Sequence, residues 1–277
     1  MIRTLTAAAL LAASAPAIAQ SEAALPDPND QSDTFTLALG GAYIPDYEGS
    51  DDSKFTPFGA VRGRVSGISF STRGTYLYVD VVKRPASGVD FDVGPIVGVR
   101  RERVSKVEDD VVRFFGKRKT AYEVGGFVGV SFHGLTNPYD TLSLRLDAVH
   151  DIGSAHKSTV FTPNVEFGTP LSRRTYVAAN LSADFVSNKY ADYYYANPGV
   201  IFGLSSIPAS NPGGGMKNWK IGALINQSIT GDLTHGFSIF GGADYSRIVG
   251  DIGKSYFVDD RGSRSQWRLA AGLAYTW

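Results

Sequence analysis

Residues 267–277, Trp267-Arg268-Leu269-Ala270-Ala271-Gly272-Leu273-Ala274-Tyr275-Thr276-Trp277, alternate a large or apolar side chain with a small or polar one and stop on an aromatic. Successive side chains of a strand point to opposite faces, so this segment builds one greasy face and one small, hydrophilic face. Such an ending suits a transmembrane β-barrel, whose final strand must pair with the first so that no backbone edge is left in lipid.

The other end of the chain agrees with export. Residues 1–19 begin with Arg3, run through the apolar stretch from Leu5 to Ala13, and close on Ala17-Ile18-Ala19, the small-x-small pattern of a cleavable secretory signal. A mature chain is expected to start near Gln20, with 20–33 a short periplasmic segment and 34–277 the barrel. That apolar stretch is too short for a membrane helix, which needs ~20 residues, and no later segment reaches that length. Membrane residence is therefore expected through strands. The chain has no cysteine, which excludes disulfides and thiol chemistry. Basic and acidic residues number 27 each, and loss of Arg3 with the leader leaves a formal charge of −1, which gives no sign of nucleic-acid binding. The 31 glycines, 14 tyrosines and 16 phenylalanines fit barrel walls, where alternate residues meet lipid and aromatics ring the interfaces, although a soluble β-sandwich shares that composition. The spacing of Gly272, Tyr275 and Trp277 is similar to the C-terminal signal by which barrel-insertion machinery selects outer-membrane proteins.

Counting strands backwards from Trp277 assigns each loop a side, and short turns should fall in the periplasm with longer loops outside. Period-2 alternation gives strands at 263–277, 235–247, 217–229, 174–186, 158–168, 140–150, 120–133 and 89–101. Short turns lie at Thr230-Gly231-Asp232-Leu233, Thr169-Pro170-Leu171-Ser172-Arg173, 134–139 and Arg84-Pro85-Ala86-Ser87-Gly88. Residues 248–262, 187–216, 151–157 and 100–119 fall outside. Residues 55–82 read as three shorter strands with turns near Ser66-Gly67 and Arg73-Gly74, and 34–43 is the first strand. The expected fold is an all-β, antiparallel transmembrane barrel of twelve strands, an even number that returns both termini to the periplasm. Ten is the alternative, because the 68–82 hairpin is shorter than the ~9–11 residues a membrane strand needs. Asp90, Asp92, Arg100, Arg145, Asp147, Asn164, Glu166, Asn180, Asp184 and Arg268 fall on the inward phase. Paired charges there either close the barrel as a salt-bridge network or line a narrow pore, and the strand number does not decide between them.

Four groups invite chemistry. His150, Asp151, Ser154 and His156 suggest a hydrolase, which requires a serine oxygen within hydrogen-bond reach of an imidazole held by a carboxylate. A structured external turn is the simpler reading, and two histidines without a third ligand make a poor metal site. No enzyme activity, cofactor or metal is expected. Asp46, Glu48, Asp51 and Asp52, with Gly49 for a tight bend, offer an oxygen-rich loop for Ca²⁺ or for the divalent ions that bridge lipopolysaccharide phosphates, but lack a full calcium-loop spacing. The alternative is a solvated loop. In 100–119, Lys117, Arg118 and Lys119 head a basic set that suits either lipopolysaccharide phosphates or an ordinary solvated hairpin tip. Gly213-Gly214-Gly215 has no following helix and no Lys-Ser/Thr, so it is a flexible loop and not a phosphate loop.

Several passages resemble the MipA/OmpV family of outer-membrane proteins, the MltA-interacting proteins. They are Pro170-Leu171-Ser172-Arg173-Arg174-Thr175-Tyr176-Val177, then Ser182-Ala183-Asp184-Phe185-Val186-Ser187, then Tyr190-Ala191-Asp192-Tyr193-Tyr194-Tyr195. Also similar are Gly41-Ala42-Tyr43-Ile44-Pro45-Asp46-Tyr47-Glu48-Gly49-Ser50-Asp51 and Leu144-Arg145-Leu146-Asp147 leading to Asp151-Ile152-Gly153. The chain departs from the family at Ala155-His156-Lys157-Ser158, where relatives tend to show Ser-His-x-Gly, and at 250–258, which lacks an expected Ser-Pro. The resemblance implies an outer-membrane barrel that serves as a scaffold between a murein-cleaving lytic transglycosylase and a peptidoglycan synthase; a narrow porin, an adhesin or a ligand-binding barrel are the alternatives. On that reading Ser172, Arg173 and Arg174, in a short rigid turn, form the expected docking point for a periplasmic enzyme. The competing reading has Pro170 shaping the turn while the arginines meet lipid phosphates or lumen carboxylates.

Overall fold

In the computed structural model, residues 32–82 and 88–277 are described. The expected leader at 1–19, nearly all of the 20–33 segment and residues 84–87 of the turn expected at 84–88 lie outside them. The alternation read from the sequence becomes a closed antiparallel barrel of twelve strands. They are β1 (Thr34–Pro45), β2 (Ser53–Val65), β3 (Ile68–Arg73), β4 (Tyr76–Asp80), β5 (Val89–Arg100), β6 (Ala121–His133), β7 (Thr141–Asp151), β8 (Thr159–Pro170) and β9 (Thr175–Val186), followed beyond a small external hairpin by β12 (Gly215–Ser228), β13 (Gly236–Ile248) and β14 (Ser265–Thr276). The hairpin, β10 (Val200–Phe202) with β11 (Ser205–Ile207), is a separate two-stranded sheet.

Closure runs through β1 and β14, in register from Thr36 opposite Thr276 to Tyr43 opposite Leu269. The Trp277 amide donates to the Phe35 carbonyl at 2.9 Å, so the ladder reaches the last residue. The β3–β4 pair, six and five residues long, is part of the wall, which makes the count twelve and sets aside ten. The turn that joins β2 to β3 has Ser66 and Gly67 both at positive φ (53° and 84°), the backbone of a two-residue turn that matches the twist of its strands.

Apolar side chains stand outward. Leu39, Phe91 and Leu273 are well exposed, an arrangement that water would penalise and hydrocarbon would not. Two aromatic groups bracket this band. Phe35, Phe70, Phe237, Tyr275 and Trp277 pack together at the end that carries the termini, and Trp219, Tyr245 and Trp267 at the end that carries the long loops. The outer loops carry four short helices, α1 (Asp110–Phe114), α2 (Asn188–Tyr195), α3 (Gly250–Gly253) and α4 (Tyr256–Asp259), where the sequence suggested only loops. No helix among the described residues is long and apolar enough to cross a membrane.

Candidate functional site

The outer mouth is filled from three directions. After β9 the chain turns at Ser187 into α2, whose Tyr190, Ala191, Tyr194 and Tyr195 share one face and are buried. The aromatic run that the sequence places in a long external loop is thus folded down into the barrel. Tyr190 is fully buried and lies against Tyr194 and the His156 ring, with centroids 4.8 and 5.0 Å away. Loop 46–52 folds inward from β1, and 101–109 packs over it, the Glu48 amide donating to Glu102 at 2.9 Å and the Glu108 amide to Asp46 at 2.9 Å.

A bulge in β12 supplies the centre of this cap. Its register against β9 shifts between Met216 and Asn218, which turns both Lys217 and Asn218 inward. The Lys217 ammonium sits 2.8 Å from Glu48 and 3.1 Å from Asp184, and Lys220 reaches the same Asp184 carboxylate at 2.8 Å. Asn218 donates to the other Glu48 oxygen at 2.9 Å and the Tyr195 hydroxyl donates to Glu48 at 3.2 Å. Burial alone would push the Glu48 carboxyl up, but the adjacent Lys217 outweighs it and holds it down to about 2. The hollow left among Tyr47, Glu48, Glu102, Arg103, Tyr194, Tyr195 and Phe257 measures about 10 Å³, at most a single water.

A second buried cluster lies beneath α2. Glu123 accepts from Arg100 Nε and Nη2, at 2.9 and 3.1 Å, and from the Tyr76 hydroxyl at 2.5 Å, and lies 2.7 Å from His156 Nε2. His156 Nδ1 lies 2.8 Å from the Ser158 hydroxyl. The row Ser158, His156, Glu123 has the order of an acyl-transfer triad, yet His156 is 2% and Ser158 5% exposed, sealed beneath the tyrosines.

This arrangement corrects the grouping suggested by the sequence. His150 points outward and meets Thr159 at 3.0 Å, while Asp151 accepts the Gly153 and Lys157 amides. Ser154 sits at a left-handed turn (φ 66°), and it is Ser158 that reaches a histidine. The acidic loop is corrected in the same way. Asp46 is buried on Lys54 at 2.9 Å and Glu48 on Lys217, so neither faces an external cation; only Asp51 and Asp52 remain exposed. Among the described residues no cluster of three metal-ligating side chains occurs. In the basic loop Lys117 and Lys119 are exposed, whereas Arg118 turns inward over the Tyr193 ring at 5.6 Å. Arg103, one of that loop's cations, is buried against Phe257 and donates to the Tyr194 carbonyl. Burial, with Arg118 nearby, pushes its guanidinium down to about 10.

Below the cap the inner wall is mixed. Arg145 pairs with Asp147 at 2.6 Å beneath the Tyr78 hydroxyl, Arg73 pairs with Glu166 at 2.9 Å, and Arg268 lies 3.4 Å from Asp244. Asp90 is buried, Asp92 accepts from Ser131, and the Asn180 amide oxygen lies over Gly222. The opposite arc is lined by small residues and by Phe58, Leu224 and Phe240. Sequence reasoning passed over Glu123 although its phase, between Tyr122 and Val124, marked it as inward. It passed over Lys217 because the bulge breaks the alternation there.

At the other end, two turns are tied together. The Leu233 amide donates to the Arg173 carbonyl at 3.0 Å, the Ser228 amide to the Arg174 carbonyl at 2.7 Å, and the Arg173 guanidinium lies 3.7 Å from Asp232. Ser172 caps its own turn by accepting the Arg174 and Thr175 amides. Arg174 and Leu171 are exposed beside it.

Among solved structures the chain is similar to an outer membrane channel from Pseudomonas putida F1, at 10% identity over 94% of this chain and 100% of that chain, with a TM-score of 0.43. It is also similar to the Pseudomonas putida toluene transporter TodX (9% identity, 89% of each chain, TM-score 0.37) and to the Ralstonia pickettii toluene transporter TbuX (12%, 89% of each chain, TM-score 0.34). No curated protein matches it significantly. The family model described as MltA-interacting protein MipA matches residues 37–277.

Proposed function

Since the chain belongs to the MltA-interacting protein MipA family, we propose that it is a non-enzymatic outer-membrane anchor that holds a murein-cleaving lytic transglycosylase, and with it a peptidoglycan synthase, at the inner face of the membrane. The observation that carries this reading is the sealed outer mouth. With Glu48, Lys217, Asp184 and four α2 side chains packed across it, the axis is closed to the exterior, and the faces left for recognition are the rims. The paired turns at 171–174 and 229–235 make a pre-ordered platform on the periplasmic rim, displaying Ser172, Arg174 and the Arg173–Asp232 pair to a folded partner.

Several parts complete this reading. Residues 1–19 direct export and are removed, Gly272, Tyr275 and Trp277 recruit the insertion machinery, and exposed Lys117, Lys119, Asp51 and Asp52 contact lipopolysaccharide and its bridging cations. Affinity capture of a lytic transglycosylase from detergent-solubilised outer membranes tests the central part. Capture by the wild type and its loss in the Arg173→Ala/Arg174→Ala variant are expected; equal capture by both removes the platform from the account, and no capture by either removes the anchor.

A narrow channel is the second reading. It is favoured by the exposure of Arg62 and Leu224 in the inner half of the lumen and the partial exposure of Asp244 and Arg268 above them, beneath the cap.

A further inference from the structure

The barrel wall is incompletely zipped at one place. β2 pairs along its whole length with β1, from Thr34 opposite Arg64 to Pro45 opposite Ser53. On its other side it pairs with β3 only from Arg62 to Val65. At Val61 the ladder is replaced by a side chain, the Thr72 hydroxyl accepting from the Val61 amide at 2.9 Å and donating to its carbonyl at 3.2 Å. Above that, the β3–β4 hairpin has turned away at Gly74 to follow β5. Backbone polar groups of a strand point alternately to its two neighbours, so those of Gly59, Pro57 and Phe55 face the vacated side. Among the described residues none of them has a partner there.

In hydrocarbon such an edge is expensive unless something relieves it. Proline removes one of the donors, and Pro57 also blunts the edge against pairing with another protein strand. The gap lies between Phe55, 72% exposed at the level of the outer aromatic group, and Val61.

What lies behind the gap is apolar, with a cation below it. Phe58 points inward from β2 and meets Phe240, and Leu224, on the inward phase of β12 against Gly242, is 41% exposed although it faces the lumen. Arg62, inward and exposed at the foot of the gap, has no ion-pair partner among the described residues. With the axial mouth sealed, a molecule reaching this chamber from outside would have to come through the wall.

We propose that the gap between β2 and the β3–β4 hairpin is a lateral portal through which an amphiphile with an anionic head passes from the outer leaflet into the lumen, its apolar body against Phe58, Leu224 and Phe240 and its head on Arg62. This goes beyond the anchoring role and does not depend on it.

The absence of cysteine makes the test clean. A bimane label on Leu224→Cys in the full chain, reconstituted in phosphatidylcholine vesicles, reports arrival of 12-bromododecanoate by quenching. Saturable quenching is expected. Arg62→Gln should weaken it roughly tenfold, the loss of one charge-assisted contact. Gly59→Trp should slow its onset at least about tenfold without changing the end point, because the gap is blocked from the lipid side; a Cβ there meets only Leu39 and Ala38 at 3.4 and 3.7 Å. Gly59→Leu serves if the tryptophan variant fails to fold. Absence of saturable quenching overturns the proposal. An unchanged affinity in Arg62→Gln overturns the anionic head, and an unchanged onset in the blocked variants shows entry from the inner end and overturns the portal.

Discussion

Phe58 of β2 and Phe240 of β13 meet edge to face inside the barrel, centroids 6.0 Å apart at 63°, although β1 and β14 stand between them. The contact exists because the intervening positions in register are Gly40 and Gly272, which put no side chain between the rings.

A methyl group at Gly272 would lie 2.3 Å from the Leu39 carbonyl oxygen and 2.6 Å from Phe240, and the first of these is backbone that cannot swing aside. Gly272→Ala is expected to cost about 1–3 kcal/mol. Urea unfolding of protein refolded directly into lipid vesicles measures this without the insertion machinery, so an unperturbed midpoint would assign Gly272 to recognition alone.

Lys217 neutralises two buried carboxylates. Lys217→Met leaves Glu48 without its cation and should cost about 3–5 kcal/mol, whereas Glu48→Gln/Lys217→Met should recover part of the loss, since Asp184 keeps Lys220. Denaturation midpoints of the two variants decide this.

Acid should open the cap. Glu48 is held at about 2 against an ordinary 4.5, so its folded form prefers the charged state. A lowered carboxylate contributes its stability in full above about pH 4.5 and loses it as pH falls towards 2. Protease cleavage within 187–214 should therefore be slow at pH 5 and rise steeply below about pH 3; a flat profile would show that Glu48 does not hold the cap.

Ser158→Ala is expected to leave background hydrolysis of a p-nitrophenyl ester unchanged and to cost about 1 kcal/mol of stability, the value of one ordinary hydrogen bond. Glu123→Gln should cost several times more, because the buried Arg100 loses its counter-charge.

The barrel was legible in the sequence because lipid on one face and an enclosed interior on the other impose a period of two on every strand. Even the short pair β3 and β4 declared itself through Ser66-Gly67 and Arg73-Gly74. The cap was not legible in the same way. Tyr190, Tyr194 and Tyr195 read as loop because nothing local says whether a loop projects or folds back, and their burial depends on the distant Glu48, Arg103 and Phe257. Lys217 was hidden by a one-residue bulge that flips the phase, and Asp46 and Glu48 read as solvated because their partners lie 8 and 169 residues away.

Planar-bilayer conductance tests the central claim, a membrane barrel sealed at its outer mouth by α2. Wild-type protein should insert without steady ion current, and deletion of 188–195 should give discrete channel openings. Equal steady conductance in both would show that the mouth is open and contradict the account.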